Sequence, residues 1–257
     1  MKRYLLAAAF VFLCVPRVFA ADGDWSVEKS THFLVYYKNA PAGFIGELIE
    51  KSENYYNEIA DKLGFRRFDF WLWDDRAKIY IHDDARAFQE ATGQQSWSAG
   101  CAMVNEKIIH SFPYAHGFFD GTLPHEMGHI IFREFVGFNN RAVPWWLDEA
   151  VATYVEERAH SSACSIVKDA LASGKFIGLE SIPGINPYLA ENDAAVLIFY
   201  AEVECLIGYL VNEFGKDNFM LFCQNLRDKR DLERALSYVY PFRNIAELET
   251  AWRKNLQ

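Results

Sequence analysis

The sequence has no internal repeat, no low-complexity tail and no cluster of basic residues. Twenty-six Lys and Arg stand against 35 Asp and Glu, a net charge of −9, and an acidic chain without a basic patch is a poor binder of nucleic acid or of an anionic membrane surface. Long apolar runs are scarce too: by sequence, nothing beyond the first 20 residues approaches the roughly 20 apolar residues that a bilayer demands. Cysteine is sparse. Besides Cys14 there are Cys101, Cys164, Cys205 and Cys223, at spacings that match no metal framework but allow three disulfide connectivities. If helices run from 192 to 214 and from 216 to 226 and fold back at Gly215, Cys205 and Cys223 lie nine residues either side of Phe214. A Cys205–Cys223 bridge is therefore the pairing to look for, set against buried free thiols as the more ordinary state. Apolar side chains are plentiful, at 51% of residues with 16% aromatic. Burial is no obstacle to one sizeable domain or two intimately packed lobes.

The first 20 residues read as a secretory signal. Lys2 and Arg3 precede an apolar run from Leu5 to Val15, and Val18 and Ala20 stand at the minus three and minus one positions of a cleavage site. Removing Lys2, Arg3 and Arg17 takes the charge from −9 to −12. Cys14 follows Leu13, which makes a poor lipoprotein box. The expectation is a soluble exported protein, periplasmic or extracellular and without a membrane anchor, whose mature part is residues 21–257. A monomer is expected.

The chemistry concentrates between Thr122 and Glu157. His125 and His129 are four apart in the run His125, Glu126, Met127, Gly128, His129; on a helix they share a face about one turn apart, so both rings can reach one tetrahedral Zn²⁺. Glu126 is too close to His125 to be a comfortable ligand but well placed to take a proton from a water that the metal activates. Thr122 as N-cap, Pro124 in the first turn and Gly137 past the end mark the helix limits. Ile130, Ile131, Phe132, Phe135 and Val136 make it a buried central helix. Two histidines leave a zinc ion short of ligands, and the next stretch supplies the third. After a loop over 138–143, Pro144 opens a second helix through Tyr154, with Glu149 twenty positions beyond His129. Two helices on so short a loop pack as a hairpin, which brings a carboxylate to the imidazoles and leaves one position open, the pattern of a catalytic zinc.

The sequence here resembles the gluzincin metallopeptidases. HEMGH stands as their HExxH, and PWWLDEAVATY stands as their glutamate helix. More narrowly it is similar to exported bacterial peptidase MA-like domains, whose glutamate helix reads Pro-x-Trp-Leu-x-Glu-Gly-x-Ala; Ala150 replaces that glycine. A metzincin pattern is excluded because Phe132 and Phe135 stand where its glycine and third histidine would be.

The resemblance implies an α+β, zincin-like fold. An N-terminal mixed sheet with helices (21–120) packs on a mostly helical lobe (121–257) that holds the zinc site, with the active-site cleft between them. The residues agree with that division. A strand-like run covers Thr31–Tyr37, helical spacing covers Phe44–Leu63, a strand covers Ala77–His82, a short helix covers Ala85–Ala91, and a strand or hairpin covers Ala99–His110. From Ser161 onward the pattern is helical, with irregular chain at 175–189, a long apolar helix over Asp193–Phe214, and a last helix from Asn244 with Glu247 in a capping box.

In the family, the edge strand lining the cleft pairs with extended substrate, and Gly100–Ile108 is the candidate for it. Gluzincin aminopeptidases carry Gly-x-Met-x-Asn there, with a glutamate before the asparagine. Here Cys101 and Val104 replace the glycine and glutamate, and Glu106, on a strand, would face away from Asn105. An endopeptidase is therefore favoured. Tyr200 resembles a family tyrosine that stabilises the oxyanion, with a core role as the alternative. Thr153 is a candidate to steady a ligand, and Asp148 either orients a histidine or favours the helix N-terminus as an early acid. His32, His82, His110, His116 and His160 are expected to be polar surface or core residues; His110 and His116 flank the entry to the metal helix.

The function expected is therefore hydrolysis of peptide bonds in a peptide or protein substrate. Zn²⁺ is held by His125, His129 and Glu149, Glu126 is the general base, and Tyr200 is a candidate oxyanion donor. No other cofactor is expected. The alternative is a catalytically silent, zinc-stabilised peptide-binding protein of the cell envelope.

Overall fold

A computed structural model describes residues 25–65, 71–96, 98–156, 160–182 and 193–256. The signal-like segment 1–20 and the Pro183–Pro187 part of the irregular chain lie outside the described residues. The chain divides into two compact units, one of residues 1–61 and 66–131, the other of residues 62–65 and 132–257. It is an α+β fold with an N-terminal mixed sheet and a helical C-terminal part.

In the first unit five strands form one sheet: β1 (Ser26–Lys29), β2 (Phe33–Tyr37), β3 (Ala77–Ile81), β4 (Gly100–Met103) and β5 (Ile108–Ser111). Their order is β1-β2-β3-β5-β4, with β2, β3 and β5 parallel and the two edge strands antiparallel to their neighbours. Strand alternation sorts the side chains. Phe33, Val35, Ala77, Ile79, Ile81 and Ile109 are all fully buried. The opposite parity puts Tyr36, Tyr80, His110 and Cys101 in one row across four strands. The helix α1 (Phe44–Lys62) buries Leu48, Ser52, Tyr55, Tyr56 and Ile59, a 3.6-residue stripe. The Tyr55 hydroxyl donates to Phe119 O at 2.8 Å, tying α1 to the approach to the histidine helix. The short helix α2 (Ala85–Thr92) is capped by Asp84, whose side chain accepts from Ala87 N, and closed by Gly93 at φ +73°.

The strand β1, which the sequence reading did not include, has no apolar alternation: all four of its residues are exposed, and it pairs antiparallel with β2. One expectation about this unit changes. The run 100–108 is a hairpin rather than one strand. Val104–Glu106 form a 3₁₀ turn and Lys107 is left-handed at φ +54°, so strand alternation does not apply to Asn105 and Glu106, which are both exposed. The edge strand is β4 alone. It is closely covered: a Cβ on Gly100 would lie 2.7 Å from Thr122 Cγ2 and 3.1 Å from His110 O, so only glycine fits there.

The helix α3 (Leu123–Val136) begins in the first unit and ends in the second, which continues with α4 (Trp145–Val155), α5 (His160–Ala172), α6 (Asp193–Phe214), α7 (Lys216–Lys229), α8 (Leu232–Val239) and α9 (Ile245–Leu256). In this unit α6 is the hub, packing on α4, α5 and α7. Contrary to the sequence reading, α6 is long and apolar enough to cross a membrane, by length and composition. Half of it is buried inside the protein, and its faces meet other helices. Cys205 on α6 pairs with Cys164 on α5, with Cα atoms 5.1 Å apart, and Cys223 on α7 is a buried free thiol beside no disulfide partner. The expected Cys205–Cys223 bridge is therefore replaced by one from Cys205 to Cys164 on α5.

Candidate metal centre

The histidine helix does not start at an N-cap threonine. Gly117, at φ +70°, begins a wider π-type turn over Phe118–Thr122, in which the N–H groups of Gly121 and Thr122 both donate to Gly117 O at 3.0 and 3.1 Å. The chain runs from that turn into α3 without leaving helical conformation, and Thr122 Oγ1 is buried and caps nothing. Pro124 sits in the first turn, where no intrahelical N–H is required. Met127, Ile130, Ile131 and Phe132 are fully buried, each worth roughly 1.5–3 kcal/mol. That burial fixes the helix while the histidines occupy its remaining face.

His125, Glu126 and His129 are 1%, 0% and 0% exposed, and Glu149, in the second turn of α4, is 4% exposed. The imidazoles of His125 and His129 meet Nε2 to Nε2 at 3.1 Å, with rings inclined at 78°. One ligand atom from each of His125, His129 and Glu149 lies within 4.8 Å of the other two. Ligands about 2.0–2.1 Å from a tetrahedral zinc are roughly 3.3 Å apart, so the trio needs only side-chain adjustment to close on an ion. Two imidazoles and a carboxylate with a fourth position left over are a donor set that fits a divalent cation, and a cation held there would offset the cost of burying carboxylates at Glu126 and Glu149.

Behind the trio is a polar brace that the sequence reading did not include. Arg133, four residues past His129, donates from Nε to Asp148 Oδ2 at 2.7 Å and from Nη1 to Asn140 O at 3.3 Å. Asn140 is 4% exposed and holds the connecting loop: its Nδ2 donates to Val136 O and Leu226 O, both at 3.0 Å, and its Oδ1 accepts from Ala142 N at 3.1 Å. Asp148 thus serves Arg133. The continuation of the His125–His129 stripe to Arg133 was the signal available in the sequence.

The remaining candidates fall as follows. Tyr200 is buried on α6, beside Phe199 and on the helix that packs against α4. Thr153 is buried, and its Oγ1 makes no hydrogen bond among the described residues. His116 is exposed, and His32 pairs with Glu53. His82 and His110 are buried and bonded to each other, Nε2 to Nδ1 at 3.1 Å, a pairing that strand order creates.

No curated protein matches the chain. The sequence pattern of the Peptidase MA superfamily matches residues 73–257, from the turn before β3 through α9. On a match of that extent, the chain belongs to the Peptidase MA superfamily and has a peptidase-like function.

Proposed function

We propose that this protein is a zinc-dependent metallopeptidase, acting as an endopeptidase on peptide or protein substrates. The observation that carries the reading is the convergence of buried His125, His129 and Glu149, ligand atoms within 4.8 Å, on a helix whose Glu126 is also buried. When bound, a zinc ion makes water a nucleophile near neutral pH and polarises a carbonyl. The carboxylate of Glu126 takes the proton from the attacking water and delivers it to the leaving amine, general base and then general acid. His125 and His129 stay neutral to serve as ligands, and the Tyr200 hydroxyl is the candidate donor to the oxyanion. Endopeptidase action is favoured because Val104 stands where a carboxylate would hold a free amino terminus, and it opens a 3₁₀ turn rather than continuing β4. Export to an oxidising compartment is supported by the signal-like N-terminus and by the Cys164–Cys205 disulfide.

The test pairs metal content with cleavage. Glu126→Gln is expected to retain one zinc per chain while losing about 10²–10⁴-fold of the rate at which the parent cleaves unfolded proteins. Parental rates in that variant would remove Glu126 from the mechanism. A zinc-loaded parent that cleaves nothing would favour the catalytically silent peptide-binding reading.

A further inference from the structure

We propose that Arg133 and Asp148 are positioning residues that set the register of the metal ligands, a reading that rests on His125, His129 and Glu149 being the ligand set. At 100° per residue, steps of four along a helix drift by about 40°, so His125, His129 and Arg133 form one slanted stripe on α3. On α4 the partners of that stripe are consecutive: Glu149 joins the ligand trio, and Asp148 meets Arg133 at 2.7 Å. Neighbours on a helix point about 100° apart, so the two carboxyls cannot exchange roles without turning α4 on its axis. A shift of α4 by one residue is about 1.5 Å, whereas metal–ligand bonds tolerate about 0.2 Å. Breaking the ion pair therefore frees the motion that the ligand set cannot absorb.

Burial and connectivity give the pair the rigidity this requires. The side chains of Arg133 and Asp148 are 16% and 12% exposed. The guanidinium is fixed at a second point by Asn140 O, in the loop that joins the two helices, and Asn140 is itself anchored on Val136 O and Leu226 O. The planar fork of arginine reaches both acceptors at once, which an ammonium does less well.

The experiment measures zinc affinity of the folded, metal-free full chain by chelator competition, the visible spectrum of the cobalt-substituted protein, and the Tm of the metal-free protein. Arg133→Met and Asp148→Asn are each expected to weaken zinc binding about 10–100-fold, the cost typical of losing a partner behind the ligands. The cobalt bands should change intensity, since they report coordination geometry. The double variant should lose no more than either single one, and Arg133→Lys, which restores the charge but not the fork, should recover only part of the affinity. If Arg133→Met lowers Tm while zinc affinity and the cobalt spectrum stay parental, the pair only stabilises the hairpin and the positioning role is overturned, with the ligand set intact. If Glu149→Gln binds zinc as tightly as the parent, the ligand set fails and the proposal fails with it. Should Arg133→Met not fold, Asp148→Asn keeps an acceptor in place and carries the same two outcomes.

Discussion

Two pairs of buried histidines bring ring nitrogens to 3.1 Å, one on a helix and one on a sheet, and their surroundings differ in almost every other respect. His125 and His129 on α3 have two buried carboxylates for company, Glu149 within the ligand trio and Glu126 beside them. His82, just past the end of β3, and His110 on the neighbouring parallel β5 have aromatic rings instead: Tyr80 stacks on His110 at 5.2 Å, and Trp25 and Phe88 stand edge-on to His82. Their own rings are nearly parallel, at 24°, so two neutral imidazoles satisfy one another, donor to acceptor, with no cation needed. Desolvation pushes His82 down to about 4, more than the neighbouring Asp83 raises it, and pushes His110 to about 3. Histidine proximity alone therefore does not make a metal centre. The carboxylate of Glu149, brought from a different helix, is what completes a donor set that could hold a cation.

The sharpest way to break this contrast is to exchange the roles of the pairs in a zinc titration. Glu149→Gln keeps the shape and hydrogen-bonding capacity of the side chain but removes the anionic ligand. It should lower zinc affinity by more than about 100-fold, beyond the 10–100-fold cost of losing an outer partner. His82→Leu should leave zinc at one per chain with affinity within a few-fold of the parent. Metal analysis after dialysis reads both, and loss of zinc from His82→Leu would put the sheet pair in the metal centre.

What the sequence makes legible follows from how local each determinant is. The i, i+4 histidines, Pro144 at the entry of α4 and Gly137 at φ +98° after α3 act within one turn, so both helices and the trio could be read directly. Determinants that depend on distant partners could not. Cys205 and Cys223 are equally far from Phe214 in sequence, but position along a helix does not set direction around it, and Cys205 bonds Cys164 on α5. Arg133 finds Asp148 fifteen residues on, and His82 finds His110 only because β5 inserts between β3 and β4. Thr122 has the composition of a cap, yet the chain is already helical from Phe118, so there is no free helix end for it to close.

A second contrast lies in pH. The folded values of His82 and His110, about 4 and 3, lie below the roughly 6.5 of an unfolded chain. As pH falls below 6.5 the unfolded chain takes up protons that the folded one refuses, so stability present above 6.5 is lost on acidification, down to the folded values. Each histidine contributes a slope of up to about 1.4 kcal/mol per pH unit. Between pH 7 and 5.5 the pair should account for about 2–3 kcal/mol of lost stability. The check is urea unfolding at both pH values for the parent and for His82→Leu/His110→Leu, whose difference isolates the pair from every other titrating group. An unchanged difference between parent and variant at the two pH values would mean that these rings are protonated in the folded state.

The smallest expected effect concerns whether the sheet pair is a hydrogen bond or two rings that happen to touch. His82→Leu leaves His110 Nδ1 facing a methyl group in a site where the residue is only 2% exposed, and an orphaned buried polar group costs about 1–3 kcal/mol. His110→Leu orphans His82 in the same way. Removing both leaves nothing unsatisfied at that contact, so the double variant should be more stable than the sum of the single losses by about 1 kcal/mol, readable in a double-mutant cycle of unfolding free energies. Additive losses would mean that the rings merely pack. The 3.1 Å separation would then carry no meaning in either pair, and His125 and His129 would be set apart only by Glu126 and Glu149.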